Sequence, residues 1–427
     1  MVVTGGRVLC GEASVSGSKH SALLVLNMGL LPAAAASTFH NVPRIRDVEA
    51  FLDIARTLDV GVIEGEGNDI TLDGSAMVNR PVPYRFTSRF HGSYLLLPVL
   101  ASRFGCGVVG LPGGCRIDPL RFPTELGGLF EPFGYEFTLD VREMSMAAEK
   151  KWEHRELRQF DFTGVGARDI TVFTKMAMIL SGVHAGKTVI KKPFMGPEIN
   201  DLAEVLRRMG AQVYGNGREV MSIEGCDHPC RVTYTVPPDL VEAVTLLACG
   251  VMTCGDVTVR NVPMSAMGAE LAALSSLGAE LTTMAGETLR GRRSKAFAHE
   301  RHLSLTTGPY PALNTDTHPI LAACLTQCHG TATIRETVWT NRFSYARHVR
   351  EMGADVQVSD GSVIIRGPTR LHGAEVEGHD IRTCAALLLC GLAAEGRTVV
   401  KDCHHLHRGY EGFVEKLRLL GAVIDAG

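Results

Sequence analysis

One phrase recurs along this 427-residue chain and restricts its fold more than any other feature: an amphipathic helix, then Leu-Gly-Ala or Met-Gly-Ala, then a short alternating strand. Clear copies end their helices at Gly210 (EVLRRMGAQVYG), Gly278 (ALSSLGAELTT), Gly353 (HVREMGADVQV) and Gly421 (KLRLLGAVI). Weaker copies lie at Asp59 (ARTLDVGVIE) and Gly134 (GLFEPFGYEFTL), and consecutive marks are 68 to 76 residues apart. Glycine ends a helix in the left-handed conformation without the steric cost other residues meet. The alternation that follows, as in Ala-Asp-Val-Gln-Val, marks a half-buried strand. Asp360-Gly361 in SDGSVIIRGP then suits a two-residue hairpin turn.

A second phrase alternates with the first: a helix rich in Gly, Ala and Leu followed by a β-rich strand, as in VEAVTLLACGVMTCGDVTVRNVP and TCAALLLCGLAAEGRTVVKDC. Helices apolar on most faces belong inside, whereas those with one charged face, such as the LRRMGA type, lie outside. Each unit therefore reads as strand, inner helix, strand, outer helix and strand pair. Six such units predict an α/β chain of two domains with three repeats each, and Tyr234–Pro238 falls at the crossing between the third and fourth.

Charge and composition narrow the function. A net charge of −3 gives no basic field of the kind that binds nucleic acid. Twelve Cys without a CxxC pair suit a reducing compartment better than a disulfide scaffold. The start MVVTGGRVLC shows no signal-peptide pattern, and the apolar run Leu23–Ala36 is broken by Asn27, Gly29 and Pro32. A cytoplasmic location with no membrane partner is expected. No GxxxxGK[ST], GxGxxG or HExxH occurs, and the His404-His405-His407 cluster lacks a third well-spaced ligand, so no metal site is expected.

Polar patches interrupt the repeat without a folding reason. They are Gly17–His20, Leu111–Arg116, Asn314–His318, Thr340–Phe343, and His407–Glu411 together with Asp380 and Arg382. Lys19, Asp316 and Arg382 take equivalent places at helix starts, where free backbone N–H groups favour an anion. Arg408 lies near another element start. Lys and Arg there are suited to a phosphate and a carboxylate. Pro112-Gly113-Gly114-Cys115 is a turn in which Arg116 and Arg121 would lower the thiol pKa, although a small buried Cys reads equally well. Cys249, Cys324 and Cys390 read as core.

These patches resemble the UDP-N-acetylglucosamine enolpyruvyl transferase family, and more broadly the superfamily that includes the shikimate-pathway enolpyruvyl transferase. The likeness spans the chain through SGSKHSALL, RFGCGVVGLPGGC, GPEINDLAEVLRRMGA, NTDTHPILA, ETVWTNRF, DIRTCAALLLCGLAAEG and HRGYEGFVEKLRLLGA. The shikimate-pathway relatives lack the loop Cys. The resemblance implies two inside-out α/β barrel domains of βαβαββ repeats, one over 19–234 and the other over 1–18 with 235–427. The site would lie in the cleft between them. It implies catalytic roles for Cys115, Asp316 and Lys19. Lys19, Arg121, Arg382 and Arg408 would bind phosphoenolpyruvate, with either Arg116 or Arg121 serving from the loop. His20, Arg89, His91, the Gly164-Val165-Gly166 turn, Glu198, Asp316 and Asn341 would face the acceptor, and Arg342 completes the family's Asn-Arg-Phe turn. Cys115 would be the target of the epoxide fosfomycin. No metal or organic cofactor is implied, and a monomer or weak homo-oligomer is expected.

The departures from the family cluster on the acceptor side. The family's Lys-Asn is Lys19-His20, its Arg ahead of the second inner helix falls at His91, and a Lys before the Val-Gly turn is Phe162. The loop after Cys115 reads Arg116–Pro123 in place of the family's uridine-gripping residues, and an Asp is His407. The chain is therefore also similar to relatives in nucleoside-antibiotic pathways that use the 3′-hydroxyl of UMP. UMP is expected as acceptor ahead of UDP-N-acetylglucosamine.

Overall fold

The computed structural model describes residues 1–32, 35–114, 124–293 and 302–426. Cys115, Arg116 and Arg121 lie outside them. All six predicted helix ends carry a left-handed residue: φ is +60° at Asp59, +86° at Gly134, +113° at Gly210, +87° at Gly278, +98° at Gly353 and +94° at Gly421. A strand begins within two residues of each, from Gly61–Glu64 in the first copy to Val423–Asp425 in the last. Asp360 and Gly361, both with positive φ, join Asp355–Ser359 to Ser362–Gly367, and Ser359 pairs with Ser362. This is the tight hairpin the sequence predicts.

Among the described residues the strands form six sheets, five of four strands and one of three. In a complete sheet a leading strand runs parallel to the strand after the inner helix, and a hairpin then adds antiparallel partners. Thus Leu157–Asp161 pairs parallel with Lys187–Lys191, which pairs antiparallel with Val220–Glu224. The three-stranded sheet has a single parallel bridge, Val82 to Val109, in the place of its leading strand.

Two compact units result, one of residues 17–237 and the other of 1–16 with 238–427. The first is slightly longer than the 19–234 span of the repeats because its last segment closes its first sheet. Thr233–Thr235 pairs parallel with Ser37–His40, and the Ser18 N–H donates to the Pro237 carbonyl at 2.7 Å. The second unit takes strands from both ends of the chain: Val2–Thr4 lies between Arg397–Lys401 and Val423–Asp425, and Cys10–Ser14 pairs with Asp256–Arg260.

Each unit buries its inner helices in its own core. In the second unit, Leu240–Met252, His318–Leu325 and Ile381–Ala393 pack against one another and are buried almost throughout. The outer helices bury one stripe only. In Pro197–Arg208 this is Ile199, Leu202, Ala203, Val205 and Leu206, while Arg207 and Arg208 lie outside that stripe. Cys249, Cys324 and Cys390 are fully buried, and burial pushes their thiols well up. Among the described residues no helix is long and apolar enough to cross a membrane.

Candidate active site

In the second unit the site is built around Asp316. Asn314 caps the turn, its side-chain oxygen accepting from the Asp316 N–H at 2.8 Å. Asp316 Oδ1 accepts from Arg342 Nη2 at 2.8 Å, and Oδ2 accepts from Arg382 Nη2 at 2.8 Å and Nε at 3.1 Å. The guanidiniums are almost sealed, at 4% exposure for Arg342 and 5% for Arg382, whereas Asp316 keeps 17%. Arg382 is the second residue of the helix Ile381–Ala393, whose N-cap Asp380 accepts from the Arg382 N–H at 2.8 Å. Burial opposes the Arg382 charge, and the adjacent Asp316 carboxylate outweighs that cost and raises its pKa.

Three buried nitrogens of this cluster, Arg342 Nε, Arg342 Nη1 and Arg382 Nη1, have no hydrogen-bond partner among the described residues. A buried charged donor left without a partner is costly, so such groups mark a place made for an anion. Arg408 is also buried, but it closes the short helix Cys403–Arg408 rather than opening an element. Asn341 is exposed on the turn before Arg342.

A buried triad holds this geometry. His318 Nδ1 lies 2.9 Å from Glu336 Oε2 and its Nε2 lies 2.8 Å from the Tyr345 hydroxyl. Glu336 Oε1 accepts from the Thr315 hydroxyl and from the N–H groups of Val338 and Trp339. The turn bearing Asp316 is thereby tied to the loop that leads to Arg342. Burial lowers the His318 pKa against the pull of Glu336.

The first unit gathers a different set. Lys19 opens the helix Lys19–Met28 behind the cap Ser18 and pairs with Asp47 at 2.7 Å. His20 beside it is exposed. His91 begins a short turn of helix, His91–Leu95, and its pKa falls to about 4, first through burial and then through Lys175, Lys19, His20 and Arg168. Glu198 sits in the first turn of Pro197–Arg208 and accepts from Lys175 Nζ at 3.0 Å. Gly164 holds φ at +81° in the exposed turn that it shares with half-buried Val165 and exposed Gly166.

One expectation changes on this side, and one departure from the family is seen in place. Arg89, expected to face the acceptor beside His91, instead reaches along the surface to Asp53 at 2.7 Å, an ion pair in which both side chains are exposed. Phe162 supplies no polar group: it is buried, 6.1 Å from the Phe160 ring and 5.8 Å from the Phe173 ring. Lys175 and the His318–Glu336–Tyr345 triad carry the geometry, yet the motif reading gives them no role. For Lys175 the only signal is one charge inside TVFTKMAMIL; for His318 it is the last polar residue of NTDTH. Among the described residues no group of three or more His, Cys, Asp or Glu is placed to hold a metal ion.

A family model described as EPSP synthase (3-phosphoshikimate 1-carboxyvinyltransferase) matches residues 3–417. UDP-N-acetylglucosamine 1-carboxyvinyltransferase 1 of Staphylococcus aureus strain N315 is 32% identical over 426 residues, covering 100% of this chain and 98% of the relative. The protein of the same name from Staphylococcus epidermidis is 33% identical with the same coverage. Among solved structures, the enolpyruvyl transferase NikO from Streptomyces tendae superposes with a TM-score of 0.89 at 26% identity, covering 99% of this chain and 98% of that one. EPSP synthase from Acinetobacter baumannii gives 0.75 at 18% identity over 98% and 97%, a likeness of fold, and it brings the same repeat architecture. The chain belongs to the family that the EPSP synthase model describes and is an enolpyruvyl (1-carboxyvinyl) transferase.

Proposed function

We propose that the chain transfers the enolpyruvyl group of phosphoenolpyruvate to a hydroxyl of a uridine nucleotide, with UDP-N-acetylglucosamine as the first acceptor. The observation that carries the donor side is the set of unpartnered guanidinium nitrogens of Arg342 and Arg382 beside Asp316. They suit a substrate bearing both a phosphate and a carboxylate. Arg408, buried in the same unit, adds positive charge to that substrate. Asp316 takes the proton of the acceptor hydroxyl as its oxygen bonds to the central carbon of the enol, and Cys115 delivers a proton to the methylene carbon. The tetrahedral adduct then loses that methyl proton and its phosphate, which restores the double bond. Cations steady the charge that builds on the phosphate as it leaves.

The acceptor order reverses the one drawn from the sequence. It is supported by full-length relatives at 32–33% identity that carry the UDP-N-acetylglucosamine name. UMP is kept as a second reading on a specific observation: Phe162, in the place of a family Lys, is packed among aromatic rings and Arg89 is turned to Asp53, so neither brings a cation to the acceptor side. Phosphate release and product mass, measured with phosphoenolpyruvate and each acceptor in turn, decide between them. Turnover with UMP alone restores the sequence order, and release with neither acceptor defeats both readings. Cys115→Ser is expected to lose fosfomycin labelling and most turnover.

A further inference from the structure

Lys175 is a lysine where the fold has no structural need for one. It lies within the inner helix Asp169–Gly182, among Val172, Phe173, Met176 and Ile179, all buried. An ammonium group is not placed in such surroundings without a partner. Its partner is Glu198, 23 residues away on an outer helix, with side-chain exposures of 8% for the lysine and 14% for the acid. The carboxylate is closely seated. A Cβ on Gly196 would come within 2.6 Å of Glu198 Oε2, so glycine there leaves room for the acid to fold back.

Glu198 is surrounded by titratable groups from several elements. His20 approaches from the helix Lys19–Met28 and Lys175 from Asp169–Gly182, Tyr94 comes from the short turn His91–Leu95, and Asp201 lies on its own helix. The neighbouring strand Gln212–Tyr214 brings no charge. Burial alone would push the Glu198 pKa up; Lys175, then His20, reverse this and hold it below the usual carboxylate value. Lys175 is also the strongest charge acting on His91, and it helps keep that imidazole neutral.

We propose that Lys175 is a positioning residue for the acceptor: it holds Glu198 as an oriented carboxylate, and Glu198 receives a hydrogen bond from a hydroxyl of the acceptor's sugar. The inference rests on the reading of Glu198 as an acceptor-facing group. It adds that a charge on the inner helix controls that group, and that the lysine acts on acceptor binding without touching the donor.

Steady-state kinetics on the full chain, from pH 6 to 9 and with UDP-N-acetylglucosamine and UMP in turn, test it. Lys175→Met is expected to raise the acceptor KM tenfold or more at pH 7, with the phosphoenolpyruvate KM within twofold. The defect should ease as pH rises, because the buried Glu198 then ionises without its partner. Lys175→Arg should return the acceptor KM to within threefold of the parent. Glu198→Gln should raise the acceptor KM with no pH dependence of that rise. If Glu198→Gln raises the acceptor KM and Lys175→Met does not, the inference fails and the reading of Glu198 stands. If Glu198→Gln leaves the acceptor KM unchanged, the reading of Glu198 fails and the inference with it. Should Lys175→Met not fold, the double variant Lys175→Met/Glu198→Gln removes the pair as a unit. Its acceptor KM must equal that of Glu198→Gln, and a further rise overturns the inference.

Discussion

The two units hold charge in different ways. Around Asp316, one carboxylate is gripped by two guanidiniums, Arg342 through one nitrogen on Oδ1 and Arg382 through two on Oδ2. Around Glu198 and His91, lysines and histidines join Arg168, and two carboxylates, Asp47 and Glu198, pair with the ammonium groups of Lys19 and Lys175. Arginine stays charged across the accessible pH range and fixes direction, whereas lysine is a point charge on a flexible stem and histidine titrates near neutrality. The Asp316 side is therefore built for geometry that does not change with pH. The His91 side is built from groups whose protonation depends on one another.

The comparison breaks most visibly if Asp316 is dispensable. Asp316→Asn keeps the side-chain size and removes the base; kcat is expected to fall by about 10³-fold, within the usual range for a lost general base. Phosphate release checks it, and retention of more than a tenth of the parental rate would put the base elsewhere. Arg382→Lys keeps the charge and loses the fork. Loss of a charge-assisted hydrogen bond of about 2 kcal/mol corresponds to a fall of about 30-fold in kcat/KM for phosphoenolpyruvate.

His318→Phe sharpens the comparison by testing whether the rigid side owes its rigidity to the triad. Glu336 and the Tyr345 hydroxyl lose a buried partner, so unfolding in denaturant should show a loss of about 3 kcal/mol. The smallest effect concerns His91. Its folded pKa of about 4 lies below the unfolded value of about 6.5. Above pH 6.5 the imidazole is neutral in both states and contributes no pH dependence. As pH falls from 6.5 to 4 only the unfolded chain takes up this proton, so stability declines through that window. His91→Gln should reduce the slope of unfolding free energy against pH there by up to one proton, read from denaturant titrations at stepped pH.

The fold is largely legible in the sequence because its recurring unit leaves a mark that side-chain chemistry makes unambiguous. A helix that stops in the left-handed region selects Gly, and five of the six marks are Gly; at the sixth Asp59 adopts φ +60° itself. The hairpin at Asp360-Gly361 is legible for the same reason. The site is legible only where its residues cluster in one stretch, as Asp316 does in NTDTH. Lys175 and Glu198 come from different helices, and no local pattern announces a pairing across 23 residues. Nor does a motif show which neighbour a long side chain will choose: Arg89 lies two residues from His91, yet it is drawn away by Asp53.

The placement of Val2–Thr4 between Arg397–Lys401 and Val423–Asp425 has a consequence for synthesis. Among the described residues, 17–237 contain every strand of the three sheets in that unit, so those sheets can close once its last residue clears the ribosome. The opening strand has no partner until residues 397–425 exist. At about 5–20 residues per second, Val2–Thr4 waits on the order of 20–80 s for its sheet. During that time Val2–Thr4 stays unpaired while the strands made after it find their sheets, and a chain cut short before Arg397 leaves it without a partner strand.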